Sequence, residues 1–341
     1  MPDDAETRSL GTVFDGIATE YDRHRPAYPD DLIDHACDVA GLEPGAQVLE
    51  IGCGTGQLTR SLVARCLRVT AVEPGDHLIA RARDQLRDLG DVEFVNARLE
   101  DVTLPSARYE AVFCASAIHW VDPDVSWRTA ADTLVDGGTL ALISYFGLEE
   151  PRTAPDQDAL RAALAAVAPE LAAAWPTYRD LDDMLAGVAA RRANVSEMWG
   201  WLGRYDVGRR YVATLFGDAQ VGAADPTLLA HTADELIALL GTMSFWARLS
   251  PSQRQALAAA LQDLHQRLDR PILSSTIACL VTAPRIPHVS VTPCGAAPSN
   301  PLEAARDHPH AARATSATSR SFRSSASSLT GFPSATDAKP H

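Results

Sequence analysis

Apolar residues in the first part of the chain follow two alternating spacings. Runs such as Val48–Ile51 and Val69–Val72 are largely apolar, which is typical of buried strands. Between the runs, apolar residues recur every three or four positions, which is typical of amphipathic helices. Because this alternation builds parallel strands, it predicts a doubly wound α/β sheet. The predicted strands are Val48–Ile51, Val69–Val72, Val92–Val95, Ala111–Ala115 and Thr139–Phe146, and the predicted helices are Asp30–Ala40, Gln57–Ala64, His77–Leu89 and Asp124–Leu134.

The alternation stops after Phe146. Helical spacing then dominates, with helices predicted over Asp158–Ala174 and Leu181–Arg192, so an insertion follows the fifth strand. Ser250 is a predicted helix cap, and Thr276–Val281 is the predicted closing strand. The chain is expected to divide into N-terminal helices and core (1–146), a mainly helical insertion that covers the substrate (147–245), the C-terminal helix and closing strand (246–285), and a tail (286–341).

The tail is rich in Pro, Ser, Ala and Thr and has few large apolar residues. Such a segment buries too little apolar surface to offset the entropy of ordering, so residues 286–341 are predicted to be disordered. Folding on a partner is the alternative.

A glycine-rich loop joins the first predicted strand to the following helix. Gly52, Gly54 and Gly56 let the backbone turn sharply and leave room for a ligand against the main chain. Glu50 precedes the loop, where its charge suits a cationic amine. Glu73 ends the next strand, where a carboxylate can accept hydrogen bonds from both hydroxyls of a ribose, although a solvated carboxylate is the alternative. The glycine spacing is not that of a dinucleotide-binding loop.

These features together resemble class I S-adenosylmethionine-dependent methyltransferases. The resemblance rests on the segment from Glu50 to Gly56, on Glu73, on Cys114–Trp120 and on Leu134–Leu140, in the family's order and spacing. Phe14–Pro29 and the pair His119 and Trp120 resemble the type 11, trans-aconitate-methyltransferase-like group. The resemblance implies a seven-stranded, mostly parallel, Rossmann-like methyltransferase sheet with the insertion after strand five and an antiparallel last strand.

The resemblance also implies the cofactor, S-adenosyl-L-methionine, with S-adenosyl-L-homocysteine as its product, and a set of contacts. Arg25 is expected to pair with the cofactor's carboxylate, with Tyr21 in the same lid, or else to be a solvated surface residue. Leu99 and Glu100 are expected at the adenine, with a merely solvated Glu100 as the alternative. The expected cofactor-binding residues are Glu50, Gly52, Cys53, Gly54, Gly56, Glu73, Pro74, Leu99, Glu100, Ser116 and Arg25.

His119 follows the fourth predicted strand, at the edge where open α/β sheets bind ligands. Its imidazole is the candidate catalytic base; pocket or cofactor contact and a structural role remain the alternatives. Tyr21, Trp120, Trp199 and Trp201 are the candidate substrate contacts, with core packing as the alternative for the insertion's aromatic residues.

Composition limits the remaining possibilities. The formal net charge of −14 disfavours nucleic acid, and the absence of a long apolar run disfavours a membrane span. Six scattered cysteines suggest a reduced, cytoplasmic protein, and no metal site is expected. Lys339 is the only lysine among 30 Lys and Arg residues, which suggests a GC-rich bacterial gene.

The sequence therefore predicts methyl transfer to a small organic molecule, with a secondary metabolite as the leading substrate. Whether oxygen, nitrogen or carbon is methylated stays open, as does assembly into homo-oligomers. Methyl esterification of a small carboxylic acid is the nearest variant, for which Arg204, Arg209 and Arg210 could form a basic pocket or could be solvated instead. A non-catalytic, cofactor-binding regulatory partner and a nicotinamide-dependent oxidoreductase are the rivals.

Overall fold

The computed structural model describes residues 10–174 and 177–287, so the predicted tail lies outside the described residues except for its first two positions. The strands are β1 Gln47–Ile51, β2 Arg68–Val72, β3 Val92–Val95, β4 Tyr109–Ala115, β5 Leu134–Leu148, β6 Gln220–Ala223, β7 Thr227–His231 and β8 Ile272–Pro284. The α-helices are α1 Ala18–His24, α2 Asp30–Ala40, α3 Gln57–Ala64, α4 Asp76–Leu86, α5 Pro123–Thr133, α6 Ala154–Val167, α7 Pro169–Ala174, α8 Leu181–Ala189, α9 Val195–Gly203, α10 Ala233–Gly241, α11 Ser244–Arg248 and α12 Pro251–Leu268. Short 3-10 helices cover Leu10–Ile17, Leu99–Asp101, Ile118–Trp120 and Arg210–Thr214.

The strands form one mixed sheet in the order β3-β2-β1-β4-β5-β8-β6, with β7 also paired to β8. Strands β1 to β5 are parallel, and β8 runs antiparallel to β5, with Ile143 opposite Leu280. The predicted doubly wound α/β fold and its antiparallel last strand are therefore confirmed. The first and fourth strands are central, so their carboxyl ends and the loops that follow them meet at one edge.

The described sheet has eight strands rather than the predicted seven. The extra strand arises because β6 and β7 pair with successive parts of β8 and share the outer edge. Both lie within the segment that was expected to be mainly helical. They are short and largely exposed, so neither has the apolar run that marks a buried strand; the hydrogen bonds to β8 define them instead.

Both faces of the sheet are covered, as a doubly wound sheet requires. One buried cluster includes Leu62 of α3 and Leu32 of α2 on the first face. A second cluster on the opposite face includes Trp127 of α5 and Trp199 of α9, and the Trp127 indole N–H donates to the Val207 carbonyl at 2.9 Å. A third cluster joins α6, α10 and α12. The insertion therefore belongs to the core rather than standing apart from it.

The N-terminal segment is held against the start of α4. Asp15 accepts hydrogen bonds from the backbone N–H groups of His77 at 2.7 Å and Leu78 at 3.0 Å, which satisfies donors at the helix N-terminus. Asp22 accepts from Arg81 at 3.0 Å further along the same helix. These bonds place residues 14–29 beside the carboxyl edge of the sheet.

A buried carboxylate joins the insertion to β8. Asp156, with only 1% of its side chain exposed, accepts two hydrogen bonds from the Arg270 guanidinium at 2.7 and 2.8 Å and a third from the Leu273 N–H at 2.7 Å. The Arg270 hydrogen bonds lower the pKa of Asp156. This interaction fixes α6 against the start of the closing strand.

Within the described part of the chain, no helix is both long and apolar enough to cross a membrane.

Replacing Asp156 tests this connection. We expect Asp156→Asn to lower the free energy of unfolding by about 2 kcal/mol near neutral pH, because an amide cannot replace an ionised acceptor facing Arg270. Because the folded-state pKa of Asp156 is depressed, its contribution is complete above the unfolded pKa of about 3.9 and is lost as the pH falls through the folded value. Urea titrations at several pH values measure both effects.

Asp263→Asn is the matched control, since Asp263 forms an exposed pair with Arg267 at 2.9 Å. Its effect should stay below about 1 kcal/mol. Equal losses in the two variants would contradict a special role for Asp156.

Candidate functional site

The glycine-rich loop leaves β1 at the carboxyl edge of the sheet and leads into α3. Gly54 has a φ of +55°, and a Cβ built there would meet nothing within 4 Å. The loop therefore presents bare backbone to open space at this residue. Gly52 and Gly56 also have positive φ values. Such a loop at a helix start offers a ligand close approach to the main chain, as the sequence predicts.

Two buried acids stabilise this loop. Glu73 accepts from the Gly54 N–H through one carboxylate oxygen at 3.0 Å and from the Gly75 N–H through the other at 2.9 Å. Glu50 accepts from the Thr59 hydroxyl at 2.7 Å. Burial raises the pKa of Glu73, and burial together with the charge of Glu73 raises the pKa of Glu50 to about 7. Both acids thus shape the loop before any ligand binds.

The end of β4 forms the facing wall. Ser116 has a φ of +53°, a left-handed conformation that is uncommon outside glycine and is often found at functional sites. Its hydroxyl lies 3.0 Å from the Tyr28 hydroxyl and 2.8 Å from the Ser144 hydroxyl. Tyr28 also stacks on Tyr145, whose hydroxyl donates to the Ala27 carbonyl at 2.7 Å. The N-terminal segment is thereby joined to the ends of β4 and β5.

Arg25 links the N-terminal segment to the insertion. Its Nε donates to the Thr242 hydroxyl at 3.0 Å, and its Nη2 donates to the Thr242 carbonyl at 2.8 Å. The Arg25 carbonyl accepts from the Gln57 side chain at 3.3 Å, which brings the segment to the first residue of α3. The guanidinium also lowers the pKa of His119, so its charge lies close to that imidazole.

His119 packs face to face with Tyr205, a residue of the insertion. Their ring centroids are 3.8 Å apart and their planes differ by 3°. Burial and the Arg25 charge lower the pKa of His119 to about 3, and its buried Nδ1 has no hydrogen-bond partner among the described residues. The imidazole is therefore neutral at neutral pH and has an unused ring nitrogen.

Tyr205 belongs to the insertion's aromatic group, which the sequence predicts either to contact an apolar substrate or to pack in the core. Burial raises its pKa to about 12, so its hydroxyl is protonated at neutral pH. A Cβ at Gly203 would overlap the Tyr205 ring, so this glycine is what lets the ring lie close to the backbone. The spacing of Gly203 and Tyr205 is a signal in the sequence, but the partner of the ring is distant along the chain and could not be inferred.

The predicted substrate contact Trp120 and the remaining predicted cofactor residues lie along the same edge. Trp120 contacts Phe14 edge-on at 5.7 Å between ring centroids. Glu100 accepts from the Asp122 N–H at 3.1 Å. Leu99 is 4% exposed, Cys53 is 5% exposed, and the Pro74 carbonyl accepts from Asn96 at 3.3 Å. Their roles toward a cofactor stay predictions.

Two insertion tryptophans differ in their surroundings. Trp199 is fully buried and contacts Phe146 edge-on, so its expected role as a substrate contact is replaced by the core-packing alternative. Trp201 is partly exposed beneath arginine side chains. The side chain of Tyr21 lies outside the described residues.

The three arginines considered for a basic pocket do not form one cluster. Arg209 faces Asp124 at 3.5 Å, Arg210 is exposed, and Arg204 donates to the Thr177 carbonyl at 2.6 Å. Among the described residues, no group of three or more His, Cys, Asp or Glu side chains is arranged to hold a metal ion.

Comparison with known proteins identifies the core. Residues 49–142 match the family described as methyltransferase domain. The chain is 36% identical over 137 residues to an uncharacterized methyltransferase of Mycobacterium tuberculosis, covering 40% of this chain and 53% of that protein. It is 26% identical over 160 residues to the ubiquinone/menaquinone biosynthesis C-methyltransferase of Vibrio cholerae, covering 42% and 59%. The chain spans about half the length of these curated relatives.

Solved structures are similar over a larger share. A candidate type II methyltransferase of Anaeromyxobacter dehalogenans is 25% identical with a TM-score of 0.48, covering 77% of this chain and 99% of that one. The phosphoethanolamine N-methyltransferase 2 of Haemonchus contortus, solved with S-adenosylhomocysteine, is 13% identical with a TM-score of 0.41, covering 80% and 58%. These scores are too low to transfer any chemistry. The family match and the curated relatives confirm the resemblance to class I methyltransferases, and residues 49–142 form the matched methyltransferase domain.

The protonation state of His119 is measurable. We expect its imidazole to stay neutral from about pH 5 to pH 8, and Tyr205→Ala to raise its pKa toward the usual 6.5 by admitting water. Nuclear magnetic resonance titration of labelled histidine measures the pKa of His119 in the unsubstituted protein and in Tyr205→Ala. A His119→Asn variant assigns the His119 signal.

His77 is the internal control, because its hydrogen bond to Asp15 raises its pKa above 6.5. Titration of His119 together with His77 in the unsubstituted protein would show that the stacked, desolvated arrangement is wrong.

Proposed function

We propose that this protein is an S-adenosylmethionine-dependent methyltransferase that acts on a small organic molecule, with a bacterial secondary metabolite as the leading substrate class and the cytoplasm as its compartment. The observation that carries the proposal is the open glycine loop, held by Glu73 through Gly54 and Gly75 inside a matched methyltransferase domain. The described cysteines are all unpaired, which fits a reducing compartment.

The residues present fit this cofactor. At Gly54 the loop leaves space where any other residue would place a Cβ, and Glu73 lies directly behind that amide. A carboxylate oxygen can accept more than one hydrogen bond, so Glu73 can bind ribose hydroxyls while it still holds the loop. Arg25 and the loop amides would hold the carboxylate and amine end. When bound, the cofactor supplies a sulfonium-activated methyl group for in-line displacement.

The protein's own task is then to align the acceptor and exclude water. His119, Tyr205 and Trp120 bring three rings to the carboxyl edge between the N-terminal segment and the insertion. With a pKa of about 3, His119 is a poor acceptor for a full proton from a hydroxyl group. We therefore favour His119 as a hydrogen-bond acceptor that orients the substrate, rather than as the general base.

Esterification of a carboxylic acid is the second candidate reaction. An ionised carboxylate needs no base before it attacks a methyl group, so a neutral, weakly basic His119 suits this reaction. A non-catalytic regulatory partner would bind the cofactor but transfer no methyl group to any acceptor, and a nicotinamide-dependent enzyme would bind NAD instead.

Calorimetric titration with S-adenosylmethionine, S-adenosylhomocysteine and NAD is the decisive measurement. We expect binding of both sulfur compounds and none of NAD, and we expect Gly54→Ala to abolish binding by filling the space that the ligand needs. Gly41→Ala is the matched control, since Gly41 also has a positive φ with open space around it but lies at the end of α2. Both variants should be destabilised by about 1 kcal/mol.

If NAD binds and neither sulfur compound does, the proposal fails. If Gly41→Ala loses binding as completely as Gly54→Ala, backbone strain explains the loss, and filling of the ligand space at Gly54 does not.

Substitution of the two principal side chains separates binding from orientation. Glu73→Ala should weaken S-adenosylmethionine binding at least about tenfold, because it removes a charged acceptor and frees the loop amides. His119→Ala should leave that affinity within about threefold and lower the methyl-transfer rate. Calorimetry and a product assay for S-adenosylhomocysteine measure the two effects. Strong loss of cofactor affinity in His119→Ala would overturn the substrate-orienting role.

A further inference from the structure

A cavity lies beside Tyr205 of the candidate site. It has a volume of about 150 Å³ and lies between the end of β5, the segment that precedes α8 and the turn that follows α9. Aromatic and aliphatic side chains form much of its wall, and two guanidinium groups contribute charge. Its principal lining residues are Phe146, Tyr178, Arg179, Met184, Arg204 and Tyr205.

Tyr205 connects this cavity with His119. The tyrosine lines the cavity and also stacks on the imidazole at 3.8 Å between centroids. A molecule in the cavity is therefore separated from His119 by the thickness of one aromatic ring. Tyr205 is therefore the side chain that both faces the cavity and contacts His119.

Arg179 and Arg204 line the cavity, and Arg191 shares the Trp201 ring with Arg179. The Arg179 guanidinium lies 3.9 Å and the Arg191 guanidinium 4.7 Å from the centre of the Trp201 ring. Burial, followed by the charges of Arg204 and Arg191, lowers the pKa of Arg179, whereas Asp183 acts in the opposite direction. The positive charges of Arg191 and Arg204 therefore act on Arg179, and the Asp183 carboxylate opposes them there.

In the described ranges, Arg179, Arg191 and Arg204 have no carboxylate oxygen within 4.0 Å. By contrast, Arg192 pairs with Asp218 at 2.7 Å. In a chain with a net charge of −14, two cavity arginines with a third cation beside them, none within 4.0 Å of a carboxylate oxygen, favour an anionic ligand.

We propose that this cavity binds a carboxylate carried by the methyl acceptor, so that the substrate is an apolar, ring-sized organic acid. Arg179 and Arg204 bind the carboxylate, the wall around Phe146 and Met184 takes the apolar body, and the end that receives the methyl group points past Tyr205 toward His119. That the bound acid is the methyl acceptor rests on the proposed function. The anion site itself is argued from the cavity and the arginines alone.

The test compares matched ligands that differ in charge. 4-Hydroxybenzoate and 3-(4-hydroxyphenyl)propanoate, each beside its primary amide, are titrated calorimetrically into the full chain with and without S-adenosylhomocysteine. We expect each acid to bind about 10- to 100-fold more tightly than its amide, as charge-assisted hydrogen bonds to arginine imply. Arg179→Gln and Arg204→Gln should each remove most of this preference.

Arg192→Gln is the matched control and should keep the preference, because Arg192 points to Asp218 on the surface. Arg204→Lys should retain part of the preference for the acid over its amide. Thermal unfolding checks folding of every variant, and Arg204→Gln leaves the Trp201 stacking of Arg179 in place. Equal affinity for acids and amides, or a preference that survives in both cavity variants, would overturn the anion site.

The two proposals fail in different ways. If S-adenosylhomocysteine does not bind the unsubstituted chain, the methyltransferase proposal fails. The acid and amide titrations still test the anion site in that case. If the cofactor product binds equally to Arg179→Gln and the unsubstituted chain while acid preference is absent from both, the anion site alone is wrong.

Discussion

The buried carboxylate of Glu73 is the constraint on which the candidate site depends. Parallel strands β1 and β2 end side by side, and the Gly52 and Cys53 N–H groups donate to the Val72 carbonyl at the end of β2. Glu73 joins the loops that follow the two strands by accepting one amide from each loop, at Gly54 and at Gly75. Its burial raises its pKa, so the arrangement costs desolvation free energy that the two backbone donors offset. This bridge sets the position of the Gly54 amide and of the Gly75 turn that leads into α4.

Local patterns in the sequence are sufficient for most of the core. Helix α3 has the predicted bounds, and the capping box at Ser250 and Gln253 begins α12 as its residue types imply. These features depend on neighbours along the chain. Strands β6 and β7 were not predicted, because they exist through pairing with β8 rather than through their own residues.

In the candidate site too, features set by neighbouring residues could be predicted, and features set by distant contacts could not. The glycine loop, the two acids and His119 could be located from the motif, since each lies at or shortly after the carboxyl end of a strand. The stacking of Tyr205 on His119 could not, because it depends on how the insertion returns to the sheet. Trp199 shows the opposite error: a tryptophan in a predicted lid suggests a substrate contact, yet α9 turns that face into the core. Amphipathic spacing shows that a helix has a buried side without showing what lies opposite it.

The hydrogen bonds between Arg25 and Thr242 have a consequence for synthesis. The two residues are 217 positions apart. At a translation rate of about 5 to 20 residues per second, the arginine leaves the ribosome about 10 to 40 s before its threonine partner is made. The parallel strands can assemble during that interval, whereas this connection of the N-terminal segment to the insertion cannot. The nascent chain thus passes through a stage in which the glycine loop is formed and Arg25 still lacks its Thr242 contact.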